Sequence, residues 1–155
     1  MPKTLMIEAL ETGTIIDHIP AGQGRYLLDL LCLESLQKPI TLGAYLESTR
    51  LSKKDILKIP LYELTQEQLS KIGVFAPHAT INRVKNHEII EKFSPTLPNI
   101  ISQILSCPNP RCITQHEFKK STFKLIEERN QIFLSCHYCE KTFSRSEMAE
   151  HVGGR

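Results

Sequence analysis

The sequence predicts an α+β fold in two parts: one largely antiparallel sheet with two helices on one face, then a small all-β module stapled by cysteines. Three observations carry this expectation. Over the first hundred residues, short runs rich in β-branched side chains alternate with stretches whose leucines recur at helical spacing. Two prolines fall within the five residues Ser94-Pro95-Thr96-Leu97-Pro98, which suits a short, stiff connector. Four of the five cysteines lie beyond that connector. The expected boundary divides the chain into residues 1–96 and 97–155.

The elements follow in order. Leu5–Leu10 and Thr14–Ile19 are apolar, strand-like runs separated by Glu11-Thr12-Gly13, a hairpin or two successive strands. After Pro20-Ala-Gly-Gln-Gly, the residues Tyr26, Leu27, Leu30, Leu31 and Leu33 predict a helix to about Ser35, with Cys32 as a core thiol inside it. Lys38-Pro39 breaks it. Ile40–Leu46 and Asp55–Ile59 are the next strands, joined by a polar loop at Glu47–Lys53. Thr65 and Gln68 have the spacing of a capping box, opening a helix that turns Leu69 and Ile72 inward and ends near Gly73. Pro77 forces an extended path, and Ala79–Val84 and Glu88–Phe93 pair around Lys85-Asn86-His87. The order ββαββαββ fits a ferredoxin-like antiparallel sheet. Asn99–Leu105 reads as a short helical stretch, and Ser121–Ile126 and Gln131–Ser135 as strands of a smaller sheet.

Within that smaller module, Cys107-Pro-Asn-Pro-Arg-Cys112 and Cys136-His-Tyr-Cys139 form C-x4-C and C-x2-C pairs with 23 residues between them. Two such turns supply four soft ligands at tetrahedral corners, the donor set of a structural zinc ion in a zinc ribbon. Four thiolates fill the coordination sphere, so no position remains for a catalytic water. His116, His137 and His151 are expected at the surface or behind the ligands rather than on the metal. A module this small buries little apolar area, so the ion contributes to its folding.

Charge narrows the function. The formal net charge is +2, with 11 Lys/Arg against 11 Asp/Glu in residues 1–100 and 8 against 6 in residues 101–155. Neither part is the polycation that nucleic-acid binding favours. Lys119, Lys120, Lys124 and Lys141 are interspersed with Glu117, Glu127, Glu128 and Glu140, a mixed face better suited to protein contact. A stand-alone zinc-ribbon module acting on nucleic acid remains the alternative. No membrane span or signal peptide is apparent, so the expected location is cytoplasmic. No paired carboxylates, nucleophile–base set or Gly-rich phosphate loop points to catalysis.

Gly13-Thr-Ile-Ile-Asp-His-Ile-Pro20, Ala79-Thr-Ile-Asn-Arg83, Pro95-Thr-Leu-Pro98 and the two cysteine turns occur in one order. That order resembles the regulatory chain of bacterial and archaeal aspartate carbamoyltransferase, and the resemblance covers nearly the whole chain. It implies a non-catalytic subunit of pyrimidine biosynthesis that pairs with a second regulatory chain. Its first domain would bind CTP and ATP, with UTP a third candidate effector, and its zinc domain would dock on catalytic chains. It further implies Lys92 and His18 facing the phosphates, Lys58 the ribose and phosphate region, and Asp17 a ribose hydroxyl with Asn82 nearby. The backbone around Ala9, Leu10 and His87 would read the base edge, Val84 and Ile89 would form an apolar wall, and Lys54 would serve an adjoining second nucleotide. Some residues depart from the family pattern. His87 stands where a tyrosine is common, Glu11 where a basic residue is, and Arg111 where a small polar one is. Glu91 beside Lys92 is expected to weaken triphosphate binding.

Overall fold

A computed structural model describes residues 9–117 and 119–153. The chain runs β1 (Gly13–Pro20), α1 (Gly24–Leu30), a 3-10 turn (Leu33–Leu36), β2 (Thr41–Ser48), β3 (Ser52–Pro60), α2 (Gln66–Phe75), β4 (Thr80–Lys85) and β5 (Glu88–Phe93). It continues through β6 (Ile100–Leu105), α3 (Ile113–His116), β7 (Ser121–Glu128), β8 (Gln131–Cys136), β9 (Thr142–Ser144) and α4 (Arg145–Gly153). The strands form a five-stranded sheet ordered β2-β3-β1-β4-β5 and a four-stranded sheet ordered β6-β7-β8-β9. Every pairing is antiparallel. The α+β class and the antiparallel sheet with its two helices match the sequence expectation. Of the expected first strand, residues 5–8 lie outside the described residues, and Ala9 and Leu10 are not in a strand.

Register explains how the first sheet divides its faces. Directly opposed residues on neighbouring strands point to the same side. Leu42, Leu57, Ile16, Ile81 and Phe93 make one row across all five strands, and Leu57, Ile16 and Ile81 are fully buried. Helices α1 and α2 cover that side: Leu27, Leu30, Ile72 and Val74 join the same core. Tyr26 and Phe75 meet edge to face at 5.6 Å. Gln68 Nε2 and Lys71 Nζ donate to the carbonyls of Leu31 (3.0 Å) and Leu30 (3.3 Å), tying α2 to the end of α1.

Several local expectations are corrected. The first helix stops at Leu30 because Cys32 turns left-handed (φ 56°) and the chain tightens into a 3-10 turn. Cys32 is consequently exposed rather than a core thiol. The polar loop between β2 and β3 shrinks to residues 49–51, since the strands continue through Glu47 and Lys53, which oppose each other and ion-pair. The capping box forms as expected: Thr65 Oγ1 accepts from Gln68 N (3.1 Å) and Gln68 Oε1 from Thr65 N (2.9 Å). Its helix nevertheless passes through Gly73 to Phe75. Gly73 is a contact glycine, because a Cβ there would stand 2.6 Å from the Thr96 carbonyl of the connector.

The largest correction is Asn99–Leu105, which is strand β6 and not a helix. Its buried residues, Ile101 and Leu105, are spaced four apart, as on a helix. A register shift between Ser102 and Leu105, with Gln103 at φ 63°, lets the strand bulge outward and still bury both. Helix α4, absent from the sequence reading, packs against α2 as well as β8 and β9. Its Met148 is fully buried and belongs to the same core as Ile72 and Ile101. The two sheets thus share one apolar interior.

Candidate functional site

Two sites were expected, and they are built differently. In the metal module, each cysteine pair sits on a turn closed by local hydrogen bonds. Asn109 Oδ1 accepts from Arg111 N (3.0 Å) and Asn109 O from Cys112 N (3.1 Å), folding the first turn. Cys136 O accepts from Glu140 N (2.9 Å), and Cys136 N donates to Lys141 O (2.9 Å), folding the second. The four sulfurs of Cys107, Cys112, Cys136 and Cys139 then converge within 4.8 Å of one another. The Cys107–Cys139 and Cys112–Cys136 sulfurs are 3.7 and 3.9 Å apart. A tetrahedron of thiolates around zinc at ~2.3 Å has an edge of about 3.8 Å. The donor set therefore fits such an ion, and all five cysteines are free thiols rather than disulfides.

Electrostatics agree. Burial drives the Cys107 thiol well above its usual pKa, and the neighbouring Cys139 and Cys136 push the same way. At Cys136 burial also pushes upward, but N–H groups of Cys139 and Tyr138 and the Ser121 hydroxyl outweigh it and hold the pKa at about 7. Buried thiolates need a compensating cation. Thr114 Oγ1 lies 3.1 Å from Cys112 Sγ and Ser121 Oγ 3.0 Å from Cys136 Sγ, hydroxyls that orient the sulfurs and that the sequence reading missed. His116 and His137 are exposed and outside the sulfur cluster. The side chain of His151 lies outside the described residues.

The second site is the other face of the five-stranded sheet. Lys58, Ile15, Asn82 and Lys92 oppose one another on β3, β1, β4 and β5, forming a single row opposite the helices. Asn82 is only 7% exposed, and its Oδ1 has no hydrogen-bond partner among the described residues. Toward one end of the strands β1 bulges, with a register shift between Ile16 and Ile19 and His18 at φ 56°. The bulge brings Asp17 Oδ1 to 2.8 Å from Lys54 Nζ and His18 Nδ1 to 3.1 Å from Thr80 Oγ1. Burial lowers the His18 pKa; Asp17 opposes this, while Lys54, Arg50 and Lys92 lower it further. Arg50, at the tip of the β2–β3 hairpin, was not singled out from sequence.

At the other end, Val84 opposes Ile89, the first buried and the second exposed. His87 N donates to Glu11 O (2.8 Å), which brings the segment after Ala9 and Leu10 beside the β4–β5 turn. Glu91 does not sit with Lys92. It opposes Arg83 on the opposite side of the strand and ion-pairs with it at 2.9 Å, so its charge is already matched.

Fold and site define a two-module chain: an open sheet bearing a polar, cation-rimmed face, joined to a four-thiol metal-binding module. Comparison with known proteins agrees with this division. Residues 5–96 match the family described as aspartate carbamoyltransferase regulatory chain, allosteric domain, and residues 99–149 the metal binding domain of the same chain. Among relatives, the aspartate carbamoyltransferase regulatory chain of Vibrio parahaemolyticus is 42% identical over 94% of this chain and 95% of its own. That of Aliivibrio fischeri is 43% identical over 91% of this chain and 92% of its own. The chain belongs to the aspartate carbamoyltransferase regulatory chain family, and it is a regulatory, non-catalytic subunit. Among the described residues no helix is long and apolar enough to cross a membrane.

Proposed function

We propose that residues 1–96 bind nucleotide effectors on the outer face of the five-stranded sheet, and that residues 97–155 hold one structural zinc ion and dock on catalytic chains. The effectors are CTP and ATP, with UTP a third candidate. The observation that carries this reading is the buried Asn82 carbonyl oxygen, unpartnered among the described residues, in a row flanked by Lys58 and Lys92. A ribose hydroxyl would satisfy the oxygen, and the lysines would meet the phosphates, as charge-assisted contacts do. His18, Asp17 and Lys54 close the phosphate end; Lys54 also serves an adjoining second nucleotide.

The base end lies by Ala9, Leu10 and the β4–β5 turn, with Val84 and Ile89 as its apolar wall. Since the His87 N–H is committed to Glu11, a carbonyl oxygen is what the His87 backbone offers a base. Cytosine and adenine both present an exocyclic amino donor, so one set of acceptors accommodates either. Competition at one site then shifts the holoenzyme by each nucleotide's differential affinity for its states. The chain acts as a dimer with a second regulatory chain.

Calorimetry tests the nucleotide site. CTP and ATP should bind saturably to the wild type, and Lys92→Ala should weaken both by about tenfold or more, as expected for losing one charge-assisted contact. Unchanged binding in the variant would remove the site from this face. Chelating the zinc should release catalytic trimers on a sizing column; a metal-free chain that still assembled would refute the docking role.

A further inference from the structure

A cleft of about 340 Å³ opens where the end of β1, the start of α1, the end of α2 and the first turn of α4 meet. Its lining shares no residue with the nucleotide row or the sulfur cluster, although Pro20 pairs with Lys54 at the edge of that face. Tyr26, Phe75, Pro77, His78, Arg145 and Ser146 line it, with no acidic residue among its walls as far as the described residues go. The volume is that of a small-molecule site.

Two polar groups of its lining keep bonding capacity that the described residues do not use. Tyr26 Oη is buried and has no hydrogen-bond partner among the described residues. Burial raises its pKa to about 12, so it stays a protonated donor. Arg145 donates through Nη1 to Val74 O at 3.3 Å, and among the described residues no carboxylate pairs with it. A buried hydroxyl without a partner is costly. The remaining guanidinium donors form a fork suited to a planar anion. Around these groups the walls are apolar and flat: the Tyr26 and Phe75 rings, already edge to face at 5.6 Å, and Pro77.

We propose that this cleft is a second small-molecule site, for a monocarboxylate carrying a flat apolar body. The carboxylate sits on the Arg145 fork, the Tyr26 hydroxyl donates to it, and the body lies against Phe75 and Pro77. A single permanent cation matches one negative charge; a phosphate dianion would leave charge unmatched in a partly dry cleft. Because Arg145 belongs to α4 and Tyr26 to α1, an occupant would bridge the metal module and the first sheet.

Benzoate is the probe, titrated into the full-length, zinc-loaded chain and followed by amide NMR. Saturable shifts are expected at Tyr26, Phe75 and Ser146. Tyr26→Phe and Arg145→Gln should each weaken benzoate by about tenfold, the neutral isostere benzamide should bind as weakly as the variants allow, and saturating CTP should not displace benzoate. Zinc content and melting temperature check that the variants fold. If Arg145→Gln does not fold, Tyr26→Phe, which keeps the ring packing, decides. The proposal is overturned if no saturable shifts appear, if the folded variants bind benzoate like the wild type, if CTP displaces it, or if inorganic phosphate binds the same residues as tightly.

Discussion

Asp55 puts a carboxylate with 2% exposure under three backbone N–H groups: Gly22 (3.0 Å) and Gly24 (2.8 Å) on Oδ2, and Tyr45 (2.9 Å) on Oδ1. It fixes the entry to α1 and the middle of β2 at once. Asp55→Ala orphans all three donors, and denaturant unfolding should show a loss of about 2–4 kcal/mol. No spacing or motif in the sequence marks this residue, because its partners are main-chain groups far away in the chain. The cysteines are the opposite case. Each metal pair lies within one turn, so geometry and sequence spacing nearly coincide. At His18 the physical consequence is a pH dependence. Burial and the surrounding Lys54, Arg50 and Lys92 favour the neutral ring in the free chain, with Asp17 opposing them. A triphosphate bound on the proposed face would favour the charged ring, so binding would raise the His18 pKa and be accompanied by proton uptake. Affinity should therefore rise as pH falls towards the free-chain pKa, which lies below the ordinary histidine value of 6.5, and level off beneath it. Titrations at several pH values, compared with His18→Ala, check this: the variant should lose the part of the dependence that nucleotide protonation does not supply.

At the level of elements, Gly73 sets two effects of similar kind against each other. Gly→Ala inside an exposed helix gains about 1 kcal/mol of helix propensity. Here the new methyl would press on the Thr96 carbonyl at 2.6 Å, and that atom is backbone. Overpacking of this sort costs about 1–3 kcal/mol. Gly73→Ala should therefore lower the melting temperature, and a raised one would mean that the connector yields freely. The capping box at Thr65 was legible because its signal is local and its residues are three apart. Strand β6 was not, because a bulge at Gln103 gave a strand the burial spacing of a helix. The break after Leu31 was hidden for a similar reason: leucines continue at helical intervals while the backbone has already turned at Cys32. The β2–β3 hairpin was longer than its polarity suggested, since Glu47 and Lys53 are polar through pairing with each other.

Across the whole molecule, the proposed nucleotide face is the part least legible from residue spacing. Lys58, Ile15, Asn82 and Lys92 come from four strands, and only the register puts them in one row. Resemblance points to Lys58, Asn82 and Lys92; periodicity brings none of the four together. The shared interior was equally hidden, because Met148 lies in a helix that the sequence reading did not contain. It has an energetic consequence. Structural zinc contributes on the order of 10 kcal/mol to small metal-dependent folds, more than so small a module gains from its own core. Removing the metal should unfold the second sheet and, through Met148, Ile101 and the Arg145–Val74 hydrogen bond, lower the melting temperature of the first. Calorimetric scans with and without chelator measure this, and a first-sheet transition indifferent to chelation would contradict a common core.

Helix α4 also sets a rule for anyone recombining this chain with its relatives. Met148 fills a fully buried seat, so a chimaera joined at the proline connector inherits a donor's helix along with its cysteine turns. Where that helix brings a different side chain to the seat, the graft carries a mismatch on the flank of α2. Exchanging α4 together with the residues it touches on α2 should rescue such hybrids, whereas exchanging the sulfur ligands should not.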